Sequence, residues 1–263
     1  MRDAGSALKV GGQIILGVPL MLLLAAPLIT LIVALPDLAW LGGEQTNEAW
    51  RALELSVMSS ALTIVLTILL GTPIAWWLAH GDSKVTRIFA LVITTPILLP
   101  PSIVGLTLLE FFSRGGWVAQ LIPAASLIPF SYAAVVIAQL VVSAPLYVLG
   151  AASAFRQYSP ELIEVARCLG ATSNQAWRHV TLPLVIPGLA MAIALAGARS
   201  IGEFGATLLL AGNLSGLTQT APLAIYLELE RGTSGALAIS LGLLFYALPL
   251  LGGITYLGRK VRS

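Results

Sequence analysis

Arg199 and Glu203 are ionisable residues four apart in a run that is otherwise apolar. At helical spacing they share a face and can pair. Charge at membrane depth is costly and normally faces a bundle interior or a cavity. Such a pair therefore either lines a pathway or acts as a structural ion pair that fixes helix register. The run is long enough that a third position, near a membrane interface, also stays open. A second polar pattern precedes it: Ser56, Ser60, Thr63 and Thr67 follow one another at steps of 4, 3 and 4, so their hydroxyls fall on one helical face. That stripe either borders a polar path or ties helices together through hydroxyl-to-backbone bonds. Pro96, Pro100 and Pro101 interrupt a third apolar run. Each removes a backbone donor and clashes with the preceding turn, so a straight helix is not expected there. Broken backbone at membrane depth is tolerated where protein or a water-filled cavity satisfies it, which makes Pro100 a candidate pathway residue beside a plain packing kink.

Catalytic signatures are absent from the sequence. There is no G-x-x-x-x-G-K-[ST] loop, no H-E-x-x-H, no C-x-x-C and no dinucleotide fingerprint. His80 and His179 fall far apart in loops, and the single cysteine, Cys168, reads as a small apolar contact. No catalytic residue, metal ligand set or nucleic-acid patch is expected.

The elements that must position these residues are set by composition. Of 263 residues 57% are apolar and 10% charged, and mean hydropathy is +0.92. A soluble domain carries about a quarter charged residues to face water, so a soluble globule of this size is excluded. One cysteine excludes a disulfide scaffold, and the lack of polar low-complexity tracts excludes disorder. Six apolar segments stand out, near 12–36, 52–79, 86–112, 131–153, 182–211 and 235–257. Each is long enough to cross a hydrocarbon core of about 30 Å at about 1.5 Å per residue. The expected fold is an all-α integral membrane bundle of six transmembrane helices. The first segment follows Arg2 and Lys9 and is longer than a signal-peptide core, so it reads as a retained anchor.

Orientation follows from the cations. With the N-terminus inside, Arg2, Lys9, Lys84, Arg87, Arg156, Arg167, Arg178, Arg259, Lys260 and Arg262 lie on one side, against Arg51, Arg114 and Arg231 on the other. Ten against three places both termini and the 154–181 loop in the cytoplasm. Residues 1–50 then hold a cytoplasmic tail, the first helix and an outer loop, residues 51–257 the transmembrane domain, and residues 258–263 a cytoplasmic tail.

The 154–181 loop carries its own helical signals. Ser159 can cap a helix with Pro160 in its first turn and Glu161 near its positive end. Leu162, Val165, Ala166 and Leu169 repeat at helical spacing, and Gly170 can end the helix. A second short helix is expected over 173–179. Together they form an amphipathic helix-turn-helix between transmembrane helices four and five, with an apolar face in need of a partner.

Glu164, Ala166 and Gly170, followed by Leu182 and Pro183, resemble the E-A-A-x-x-x-G…I-x-L-P coupling motif of ABC importer permeases. Val165 and Val180 depart mildly from it. The resemblance implies that Glu161, Glu164, Ala166, Arg167, Gly170 and Ala171 dock into an ATPase subunit. It also implies that no cofactor sits on this chain, Mg-ATP being held by that partner. Further on, Gly202-Glu203-Phe204-Gly205-Ala206-Thr207 and Thr218-Gln219-Thr220-x-Pro222-Leu223-Ala224-Ile225-Tyr226 are similar to the molybdate branch of that family. This implies a homodimeric permease in the cell membrane, working with ATPase subunits and an extracytoplasmic oxyanion-binding protein. The cargo so implied is molybdate or tungstate, with sulfate or thiosulfate as the alternative within the class. An ion-gradient-driven secondary transporter using Arg199 and Glu203 is the alternative outside it.

Overall fold

The computed structural model describes residues 2–33, 44–156 and 160–260, and every regular element among them is helical. The elements are α1 (Arg2–Val33), α2 (Glu44–His80), α3 (Lys84–Leu98), α4 (Pro101–Phe112), α5 (Trp117–Leu121), α6 (Tyr132–Arg156), α7 (Pro160–Cys168), α8 (Ser173–Ala176), α9 (Leu182–Ile201), α10 (Gly205–Ala211), α11 (Ala221–Arg231) and α12 (Thr233–Lys260). Three stretches are long and apolar enough to cross a membrane: Asn47–His80, Tyr132–Arg156 and Ser173–Ile201. A fourth is broken, with Lys84–Leu98 and Pro101–Leu121 meeting at a bend of 112°. Shorter apolar helical stretches cover Gly17–Val33 and Ser234–Pro249.

The break is written in the prolines. A residue before proline is pushed out of the α region, and Leu99 precedes Pro100, which precedes Pro101. Leu99 and Pro100 are accordingly extended, at ψ 139 and 135, and Pro101 opens α4 at its first position, where no donor is missed. The expected kink in the third segment is thus a full re-direction of the chain.

Helix α6 is the axis of the bundle. It packs on α2 along one side and on α9 along another, and α12 and α11 close the far side of α9 and α2. Lipid is as apolar as leucine, so close van der Waals packing rather than burial of oil from water must hold these helices together. Small residues supply it. A methyl group placed on Gly150 of α6 would lie 2.7 Å from Ala192 Cβ, and one on Gly188 of α9 would lie 2.6 Å from Ala154 Cβ. The helices touch where no further carbon fits. Alanines at 134, 138, 151, 192, 196 and 206 are buried, while the large side chains of Leu69, Leu91, Val92, Leu195 and Phe245 face outward. Small inside and large outside is the distribution expected of helices solvated by acyl chains.

One expectation changes in segment five. The apolar run 182–211 is two helices: α9 ends at Ile201, and α10 starts at Gly205 after a break at 202–204. The small-residue contact with α6 runs through Gly188 and Ala192. At the other end, α12 continues past residue 257 to Lys260.

Candidate coupling hairpin and translocation elements

The hairpin is built by three local rules. Helix α7 ends in a paired cap, with Ala171 N donating to Ala166 O and Gly170 N to Arg167 O, both at 3.0 Å. That pattern needs a left-handed residue, and Gly170 takes φ +91. Thr172 then opens α8 with a capping box: its Oγ1 accepts from Gln175 N at 3.3 Å, and Gln175 Oε1 accepts from Thr172 N at 2.8 Å. A π-turn at Trp177–Thr181 joins α8 to α9 without a break, so the hairpin runs directly into a membrane-crossing helix. Ser159, the expected cap of α7, lies outside the described residues.

Glu161, Glu164 and Arg167 are exposed on α7, as is Gly170 after it, while Ala166 and Ala171 are half-buried. Leu162, Val165 and Leu169 are also exposed, at 46, 56 and 83%. An apolar helix face is therefore left open beside acidic and basic side chains. Sequence reading missed the root of the hairpin. Trp177 stands edge-on to Trp76 of α2, at 5.2 Å between ring centroids, and Trp76 stands edge-on to Phe155 of α6 at the same distance. A tryptophan in a loop flanked by Arg178 and His179 was the available signal.

The hydroxyl stripe of α2 is wholly inside the protein. Ser56, Ser60, Thr63 and Thr67 are all buried. Ser56 Oγ accepts from the first amide of α11, Ala221 N, at 2.6 Å. Thr63 Oγ1 donates to Gln139 Oε1 of α6 at 3.0 Å, and Gln139 Nε2 donates to Ser59 Oγ at 3.2 Å. Gln139 and Ser59 were not foreseen, since a lone glutamine in an apolar run has no periodic signal. Ser60 and Thr67 have no protein partner for their hydroxyls.

Arg199 and Glu203 do meet, with Nη1 2.6 Å from Oε2, but not as neighbours on one helix. Glu203 lies in the break beyond α9. Its other oxygen, Oε1, accepts from Ala206 N at 2.7 Å and so caps the start of α10. The carboxylate is buried at 1% exposure, whereas the Arg199 side chain is 31% exposed.

The two breaks touch. A methyl on Gly205 would lie 3.0 Å from Ser102 N, and one on Gly105 would lie 2.6 Å from Ala206 O. Helices α4 and α10 are thereby seated backbone to backbone, with Pro100 and Glu203 in the two adjoining discontinuities. Among the described residues no group of three or more His, Cys, Asp or Glu gathers as a metal site.

Broken and unbroken membrane-crossing helices, with a capped hairpin feeding one of them, describe a helical component of a membrane. The chain belongs to the binding-protein-dependent transport system inner membrane component family, whose profile matches residues 71–263. It is a multi-pass membrane protein. It is 41% identical over 210 residues to the molybdenum transport system permease protein ModB of Mycobacterium tuberculosis, covering 80% of each chain. It is 30% identical over 249 residues to the sulfate transport system permease protein CysT of Salmonella typhimurium, covering 91% of this chain and 90% of that one. Two solved structures share the fold. A bacterial ABC transporter involved in the import of the acidic polysaccharide alginate superposes with a TM-score of 0.73 at 18% identity, covering 100% of this chain and 99% of that chain. The bacterial alginate ABC transporter in complex with alginate pentasaccharide-bound periplasmic protein gives 0.68 at 19% identity, covering 99% and 96%.

Proposed function

We propose that this chain is the permease subunit of an ATP-driven importer that carries molybdate, or tungstate, inward. The observation that carries the ATP-driven part is the α7–α8 hairpin. It presents Leu162, Val165 and Leu169 uncovered beside Glu161, Glu164 and Arg167, in a chain with no phosphate-binding loop of its own. An open apolar face calls for a protein partner, and a separate ATPase holding Mg-ATP fits it. This chain then needs no cofactor. Both solved relatives in fold are ABC transporters, one with a periplasmic protein bound, which supports an extracytoplasmic oxyanion-binding protein as the second partner.

Counting α3 with α4 and α9 with α10 as single broken crossings gives six spans, and the ten-to-three distribution of cations favours both termini inside. Residues 51–257 are then the transport domain. The cargo pathway runs between two copies of the chain, past the discontinuities at Pro100 and at Glu203 beside Arg199. Ser56, Ser60 and Thr63 back this route from within the bundle. ATP binding in the partner draws the two hairpins together and shifts the population between outward-open and inward-open states.

Molybdate rather than sulfate is favoured by the relatives, 41% identity against 30%. Complementation tests the reading: in cells that lack molybdate uptake, the chain with its ATPase and binding protein restores molybdenum-enzyme activity at low external molybdate. Restoration of sulfate uptake without molybdate uptake would transfer the assignment to sulfate.

A further inference from the structure

We infer that Arg199 is a way station for the transported tetrahedral dianion, and that Glu203 is its resident competitor, holding the guanidinium between transits. The inference rests on the oxyanion-import reading above and adds a binding site to it. A guanidinium offers a fork of donors that matches an oxyanion, and here it is the approachable half of the pair. Nearly a third of the Arg199 side chain is exposed, while the carboxylate it faces is closed off at 1%. An anion arriving from the open side meets Arg199 and not Glu203.

The geometry also lets Arg199 leave. Glu203 is held twice, by Arg199 at Oε2 and by Ala206 N–H at Oε1. When the guanidinium turns to an oxyanion, the carboxylate keeps the amide of α10. Its other oxygen, Oε2, is then left without its guanidinium partner, so the buried charge pulls Arg199 back once the cargo moves on. Such return is what a pathway requires, because a site that binds an anion without a competitor retains it, and conduction needs binding weak enough to release. Just beyond the break at 202–204, Gly205 stands against the first turn of α4, a methyl there lying 3.0 Å from Ser102 N.

The test uses the purified membrane complex without binding protein, and reads its melting temperature against tungstate or sulfate, with chloride at matched ionic strength as control. Glu203→Gln keeps an acceptor for Ala206 N–H but releases Arg199. Its half-maximal dianion concentration should fall about tenfold below that of the wild type, the size of one charge-assisted interaction. Uptake into vesicles by this variant should slow. The double change Arg199→Gln with Glu203→Gln, which removes both charges, should lose the dianion response while leaving the complex assembled. Equal dianion responses in Glu203→Gln and the double variant, with oxyanion uptake by wild-type vesicles intact, would overturn the way station alone. Absence of oxyanion uptake by wild-type vesicles would overturn it together with the import reading.

Discussion

Gly105 of α4 and Ala206 of α10 are in backbone contact: a methyl group at Gly105 would lie 2.6 Å from the Ala206 carbonyl oxygen and 2.7 Å from its Cα. The neighbour is backbone, so it cannot swing aside as a flexible side chain would. This contact joins the two broken helices next to their discontinuities and makes α4 and α10 one body. Gly105→Ala should destabilise the protein by about 1–3 kcal/mol, the range for overpacking a tight core. A thermal melt of the purified protein reads the loss, and an unchanged melting temperature would show that the helices can part at little cost.

The ion pair gives a double-mutant comparison. Arg199→Ala leaves Glu203 buried with only the Ala206 amide, at a cost of about 3–5 kcal/mol, whereas removing both members relieves the charge. The single variant should express less folded protein than Arg199→Ala with Glu203→Ala. A double variant that regains fold without transport assigns the pair to the pathway, and one that regains both makes it structural. Equal, mild effects of the singles and the double would show that the two residues do not interact.

The fold was legible in the sequence where periodicity and proline dominate, and less so where a single side chain decides. Apolar run lengths gave the long helices, and Pro96-Pro100-Pro101 gave the break at Leu99. The break at 202–204 left no such mark. Gly202 is one small residue among many, and Glu203 reads from sequence as an arginine partner at helical spacing. Its role as the cap of α10 requires knowing that the chain has already turned. In the same way Ser56 and Thr63 were visible as a stripe, but their partners Ala221 N and Gln139 are distant in sequence and follow only from the packing of α2 on α6 and α11.

Sidedness can be read with the native cysteine. Cys168 is exposed at the end of α7, and Ser215 is exposed in the segment between α10 and α11. In intact cells an impermeant thiol reagent should leave Cys168 unlabelled, yet label Ser215→Cys built on a Cys168→Ser background. Labelling of Cys168 from outside would invert the orientation and remove the hairpin from the ATPase side.

Gly170 at φ +91 has open space around it, so a substitution there acts through backbone strain rather than through a clash within this chain. An L residue in the left-handed region costs about 1–2 kcal/mol. Gly170→Leu should loosen the cap between α7 and α8, and Glu164→Lys should reverse a charge on the exposed face. Both should lower uptake and the ATPase response while the protein still inserts in the membrane. Full uptake by both variants would exclude the hairpin from coupling.

The account stands most directly on one measurement, the uptake of radiolabelled molybdate into vesicles holding this chain, its ATPase and its binding protein. Uptake should require ATP on the side of the membrane that carries the ATPase, vanish when the ATPase is left out, and fall more when unlabelled tungstate is added than when sulfate is. Uptake that continues without the ATPase on an imposed ion gradient would contradict the account and make the chain a secondary transporter.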